Sequence, residues 1–176
     1  MQPHLKEIID QYGDYLLRIA YTYVKDERIA QEILQDVLFS YYRKQSQFRG
    51  DASLKTYLTK MTINRSYDYL RSWKNKRELV LEKIFIKERA KSIEKSVIEE
   101  EEKTEITSAV FTLKVKLREV IFLYYYAEHT TKEISEILGV PESTIKSRLQ
   151  KARAELREKL QNYEWEVLVD ENAERF

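Results

Sequence analysis

The side chains from Ser143 to Arg153 have the types and spacing needed to read a polyanion. At about 100° per residue, turning Ile145, Leu149, Ala152 and Leu156 inward sends Ser143, Thr144, Lys146, Ser147, Gln150, Lys151 and Arg153 outward or to the flanks. Hydroxyls come first, then amide, ammonium and guanidinium groups. The start of a helix offers free N–H groups and partial positive charge to phosphate. Side chains on its first turns reach base edges in a major groove. This assigns Lys146, Ser147, Gln150 and Lys151 to base edges, and Thr144, Arg148 and Arg153 to phosphates. The bland alternative is the solvated face of an ordinary bundle helix.

A second basic block lies about 100 residues earlier in the chain. The net charge of +1 over 176 residues hides this segregation. Residues 43–77 hold 10 basic and 2 acidic side chains, a net of +8, and residues 141–160 carry +3. Residues 1–42 and 78–140 are each −3, and the tail 161–176 is −4. Phe48, Tyr57, Tyr67, Tyr69, Trp73 and the bordering Tyr42 are interleaved with the +8 block. Positive charge with stacking rings is the composition that holds unpaired bases.

Other chemistries find little support. Cysteine is absent, which removes disulfides, thiol nucleophiles and Cys-based zinc sites. His4 and His129 are far apart, and His129, beside a helix cap, reads as a surface residue. The 3 glycines fit neither a dinucleotide fingerprint nor a phosphate loop. No apolar run approaches the ~18 residues of a membrane span, and no charged-then-apolar leader opens the chain, so a cytoplasmic protein is expected. Neither a metal nor a cofactor is expected.

The elements that must carry these residues are helical nearly throughout. Leu5, Ile8, Ile9, Tyr12, Leu16, Ile19 and Tyr23 mark one apolar face of a first helix. Asp26 caps a second, which buries Ala30, Ile33, Leu34, Val37, Leu38 and Tyr41 and carries Gln31, Glu32, Gln35 and Asp36 opposite. Phe48-Arg49-Gly50-Asp51 reads as a turn, with Gly50 free to take positive φ. A third helix from about Leu54 to Trp73 buries Leu54, Leu58, Met61 and Leu70. Residues 76–104 hold 16 charged side chains in balance and read as a charged linker with transient or partial helix. From Glu105 apolar periodicity returns. Thr130-Thr131-Lys132-Glu133 spells a capping box for a short helix to Leu138. Gly139-Val140-Pro141 then turns the chain into a helix from Glu142 to about Gln161, burying Ile145, Leu149, Ala152, Leu156 and Leu160. Short helix, tight turn and longer helix make a helix-turn-helix.

In this setting the chain resembles bacterial RNA polymerase sigma factors of the extracytoplasmic-function type. Ala30-Gln31-Glu32-Ile33-Leu34-Gln35-Asp36-Val37-Leu38 fits the family pattern around its second helix. Phe48-Arg49-Gly50, then Tyr57-Leu58, Met61, Asn64, Asp68 and Arg71, follow the next signature, with Tyr57 in place of the usual Trp and Thr62 where Ala is common. Glu133-Ile134 through Leu138-Gly139-Val140, Thr144-Ile145-Lys146-Ser147-Arg148 and Ala152-Arg153 match the recognition motif. A Leu-Pro pair usual near Lys114–Lys116 is missing, which leaves open where the helices there divide.

The resemblance implies an all-α fold of two small helical domains joined by a charged linker. Region 2 would be a helical bundle over 1–75, the linker 76–104, region 4 with its helix-turn-helix 105–161, and an acidic tail 162–176. It implies that the chain is not an enzyme but a specificity subunit. Core RNA polymerase and promoter DNA are the implied partners, with an anti-sigma factor, common in the family, as a further one and no membrane insertion. Glu32, Gln35 and Asp36 would meet polymerase. Region 4 would read the −35 element. Phe48, Arg49, Lys55, Lys60, Asn64, Arg65, Asp68 and Arg71 would engage and melt the −10 element, with Lys74 and Arg77 on phosphates. Two rivals are a stand-alone helix-turn-helix regulator, which would bind duplex DNA tightly by itself, and a helical hydrolase using Asp68, which lacks a paired carboxylate.

Overall fold

The apolar repeats fold as expected into α1 (Leu5–Val24), α2 (Glu27–Lys44), α3 (Leu54–Lys83), α4 (Glu105–Thr112), α5 (Val115–Ile121), α6 (Thr131–Leu138) and α7 (Glu142–Lys159). A computed structural model describes residues 5–45, 50, 52–83 and 105–160, and among them every regular element is helical. Phe48, Arg49, Asp51, the expected linker beyond residue 83 and the acidic tail lie outside the described residues, as do the side chains of Lys74 and Arg77.

In the first lobe α1 packs on α2 and α3. Ile8, Leu16, Ile19 and Tyr23 of α1 are buried against Ala30, Ile33, Val37, Leu38 and Tyr41 of α2. Ile9 departs from the expected apolar face: it is 44% exposed, on the edge of the stripe that Ile8 heads. Asp26 caps α2 as expected, accepting from the Ile29 amide at 2.9 Å.

Helix α3 differs from the expectation in two ways. It continues past Trp73 through Lys83. With no Gly or Pro there, nothing breaks the backbone repeat. Its buried face is also partly polar: Leu58 and Ile63 are joined by fully buried Thr59, Thr62 and Ser66, while Leu54, Met61 and Leu70 are only half-buried. Two of the hydroxyls are satisfied within the helix, Thr62 donating to the Leu58 carbonyl at 2.9 Å and Ser66 to that of Thr62 at 2.8 Å, while that of Thr59 meets the Tyr15 hydroxyl of α1 at 3.1 Å. Small side chains that return their hydrogen bonds let neighbouring helices approach closely.

In the second lobe α5, α6 and α4 pack on α7. The helices near Lys114 divide without proline: α4 ends at Thr112, Lys114 is extended, and α5 starts at Val115. Helix α5 then widens into a π-helical turn at Phe122–Tyr126, closed by a hydrogen bond from the Ala127 amide to the Phe122 carbonyl at 3.0 Å. The capping box forms in full at Thr130 and Glu133. Gly139 takes the left-handed conformation, φ 66°, as does Gly50, φ 77°. Nothing lies within 4 Å of where a Cβ on Gly139 would stand, so only backbone strain opposes a side chain. Gly139→Ala is therefore expected to lower unfolding free energy in urea by about 1–2 kcal/mol.

The lobes are not separate. Their buried side chains form one continuous core, with α1 against α5 and α3 against α6.

Candidate nucleic-acid interface

Three sets of side chains were expected to do the chemistry, and their described members sit on helices that fix their direction. On α2, Glu32, Gln35 and Asp36 are exposed along one stripe, because the opposite face is buried on α1. Asp36 is engaged: Arg65 of α3 donates to its carboxylate through Nε at 2.9 Å and through Nη2. This links the expected polymerase face to the expected −10 face.

On α3, Lys60, Asn64, Arg65, Asp68 and Arg71 share the solvent side, and Arg71 pairs with Asp68 one turn away. Lys55 stands apart, half-buried, with its ammonium 4.6 Å from the centre of the Tyr15 ring. Of the interleaved rings, Tyr42 and Trp73 are exposed, whereas Tyr57 packs edge-on against Tyr41 and Tyr67 against Tyr23.

On α7 the burial of Ile145, Leu149, Ala152 and Leu156 leaves Ser143, Ser147, Gln150 and Lys151 exposed. Thr144 and Lys146 flank them; Lys146 lies 3.4 Å from Glu142, and Ser147 donates to the Thr144 carbonyl at 3.0 Å. Glu142 is itself fixed by the Thr131 hydroxyl at 2.6 Å, which ties the start of α7 to α6. Arg148 and Arg153 are not with the outer set. Arg153 donates from Nε to the Tyr125 hydroxyl at 2.8 Å and stacks over the Tyr124 and Tyr125 rings. Arg148 reaches inward to Glu119 at 3.1 Å, its side chain 18% exposed.

Glu119 belongs to a cluster between the lobes that the sequence reading missed. It is 2% exposed. Its Oε2 accepts from the Tyr23 hydroxyl of α1 at 2.8 Å and from the Tyr67 hydroxyl of α3 at 2.6 Å, while Oε1 faces Arg148. Burial pushes the Glu119 carboxyl up from its ordinary value, opposed by the two phenol donors and by the Arg148 and Lys116 charges. Burial and the facing carboxylate raise both phenols, so Tyr23 and Tyr67 keep the protons they donate.

Beside it, Arg118 is also 2% exposed and lies across the end of α1. It donates to the Thr22 carbonyl at 2.5 Å, to that of Tyr23 at 3.3 Å and to that of Leu113 at 2.9 Å. The last turn of a helix has unpaired carbonyls and partial negative charge, and this cation answers both. Lys25, which follows α1, reaches the Phe111 carbonyl, and Tyr21 packs edge-on against the Phe111 ring.

The expectation that His129 lies on the surface is wrong. It is 8% exposed, with Nε2 3.2 Å from the Tyr15 hydroxyl, which in turn meets Thr59 at 3.1 Å. Burial holds the imidazole below its ordinary value despite the Glu133 carboxylate, so it is neutral near pH 7. The cap beside it gave the impression of a surface position; the first lobe covers it instead.

Comparisons with known proteins agree with this layout. A model of Sigma-70 region 2 matches residues 8–77, and one of Sigma-70 region 4 matches residues 103–156, together most of the chain. The chain is 28% identical to the RNA polymerase sigma-E factor of Streptomyces antibioticus over 171 residues, covering 97% of this chain and 92% of that protein. It is 26% identical to the ECF RNA polymerase sigma factor SigW of Bacillus subtilis, covering 92% of this chain and 91% of SigW. Among solved structures, the sigma factor RpoE, determined with the anti-sigma factor NepR from Bartonella quintana, superposes with a TM-score of 0.70 at 25% identity, over 89% of this chain and 96% of that one. No helix among the described residues is long and apolar enough to cross a membrane. With both regions matched in order, and each on its own helical lobe, the chain belongs to the sigma-70 family as an extracytoplasmic-function sigma factor.

Proposed function

We propose that this sigma factor binds core RNA polymerase through the α2 stripe, reads the −35 element with α7 and melts the −10 element along α3. The observation that carries the reading is the ordered pair of matches, region 2 then region 4, on helices whose solvent faces carry the expected side chains. Ser147, Gln150 and Lys151, flanked by Thr144 and Lys146, read bases and phosphates in the major groove. Lys60, Asn64, Arg65 and Arg71 hold the separated strand, with Phe48 and Arg49 earlier in the sequence. Unstacking a base costs a few kcal/mol, which stacking and hydrogen bonds offset. Bond-making belongs to polymerase, and no catalytic group, metal or cofactor is assigned to this chain. An anti-sigma protein is a further partner: RpoE, which this chain resembles across both lobes, was solved with one.

The experiment is transcription in vitro with purified chain, core polymerase and a genomic library. Start sites sharing two spaced elements are expected; transcription no different from core alone would overturn the reading. Glu32→Ala/Gln35→Ala, at two exposed positions, is expected to weaken capture of core polymerase about tenfold. Asp36 is avoided because it also holds Arg65. Undiminished capture would move the polymerase surface elsewhere.

A further inference from the structure

Four cations of the expected DNA-facing sets meet a carboxylate: Arg65 meets Asp36, Arg71 meets Asp68, Lys146 meets Glu142 and Arg148 meets Glu119. Arg153 is held differently. Its Nε donates to the Tyr125 hydroxyl at 2.8 Å, and its Cζ stands 5.6 Å from the centres of the Tyr124 and Tyr125 rings, which meet each other edge-on at 77°. Rings and a hydroxyl fix a guanidinium without neutralising it. With Nε engaged, the fork of two Nη groups is the part of the side chain left to take a further acceptor. A phosphate offers that fork two oxygens at matching spacing.

The placement of Arg153 on α7 suits such a ligand. At about 100° per residue, Lys146, Gln150, Arg153 and Arg157 fall within about 60° of one another, with half-buried Arg153 at the inner edge of the stripe. Arg153 lies about 10 Å farther along the helix than Lys146. A major groove is about 12 Å wide, so a group that far from a base-reading position stands at its phosphate wall. The two tyrosines belong to the π-helical turn at Phe122–Tyr126, a departure from the α-helix that recurs at functional sites.

We propose that Tyr124 and Tyr125 are positioning residues, which hold the Arg153 guanidinium in advance as a clamp for a backbone phosphate of duplex DNA. The clamp rests on the reading of α7 as a DNA-binding helix, and it needs neither a promoter sequence nor polymerase. Immobilising one flexible side chain on binding weakens a complex by about two- to tenfold. A guanidinium already fixed on its rings avoids that loss.

The test is binding of the full-length chain to a fluorescent random-sequence duplex of about 20 base pairs, followed by anisotropy over a range of salt concentrations. Arg153→Ala is expected to reduce the slope of log affinity against log salt by about one. Tyr125→Phe keeps the cation and therefore the slope, and is expected to weaken binding about two- to tenfold at every salt concentration. Arg153→Lys, which keeps the charge but lacks the fork, should behave in the same way. In the Arg153→Ala background, Tyr125→Phe should change nothing further. An unchanged slope in Arg153→Ala overturns the clamp, as does a parent chain that fails to bind the duplex at low salt. So does a Tyr125→Phe effect that is as large without Arg153 as with it, since the ring would then be a packing group only. Circular dichroism checks folding; if Tyr125→Phe unfolds, Arg153→Lys supplies the comparison. The two readings fail separately. A chain that shows the slope change but never directs initiation loses the promoter reading, whereas an active chain with an unchanged slope loses the clamp.

Discussion

Glu119→Ala is expected to cost about 3 kcal/mol or more of unfolding free energy at neutral pH. The substitution strips one buried phenol, one half-buried phenol and one mostly buried guanidinium of their shared acceptor. A hydrogen bond to a charged group is worth about 1.5–3 kcal/mol, and an orphaned buried donor costs more than the bond was worth. Water cannot readily replace the carboxylate, since α1, α3 and α7 close around it. The loss is large against the 5–15 kcal/mol that separates folded from unfolded states of typical domains. Urea unfolding followed by circular dichroism measures it. A change below about 0.5 kcal/mol, the size common at plain surface positions, would mean that the cluster carries no weight. The pH dependence has a definite sign. Because burial raises the Glu119 carboxyl above its unfolded value, the folded form holds that proton more tightly, and this group's contribution falls as pH rises from the ordinary carboxyl range through the raised value.

The second large effect is expected on promoter choice. Lys146→Ala/Gln150→Ala/Lys151→Ala should abolish −35 preference in the holoenzyme, at about 1–3 kcal/mol for each good base contact. The side chains are separable from the fold: Gln150 and Lys151 are exposed, Lys146 is partly exposed, and the apolar face that seats α7 is untouched. Stability should therefore move little while discrimination between consensus and scrambled −35 sequences collapses. Retained discrimination by a folded triple variant would place base reading elsewhere. Salt dependence divides the roles further, because a lost phosphate contact lowers the salt slope by about one while a lost base contact does not.

How far the sequence could be read followed the physics of each signal. Helix positions on the outer faces were legible because burial repeats every three to four residues. Ile145, Leu149, Ala152 and Leu156 thereby identified the solvent side of α7 without a structure. Caps were legible too, since Asp26, Thr130 and Gly139 act on backbone groups within a few residues. The contact between lobes was not. Glu119 meets Tyr23 across 96 residues and His129 meets Tyr15 across 114, and no local pattern encodes such pairings. Adjacent charges at Arg118 and Glu119 look like a solvated face when counted, whereas Leu117 through Ile121 are all buried. A helix turn hidden on every side lies between two layers, and that is visible only once both layers are in place.

The wide turn at Phe122–Tyr126 does something a regular helix could not. Its extra residue rotates the chain so that neighbouring tyrosines part company. Tyr124 and Tyr125 lie under Arg153 of α7, while Tyr126 points away beneath Arg18 of α1. One inserted residue thus gives a single short segment two allegiances, to the recognition helix and to the opposite half of the molecule. Shortening the segment by one tyrosine would restore the ordinary pitch and force a choice between them.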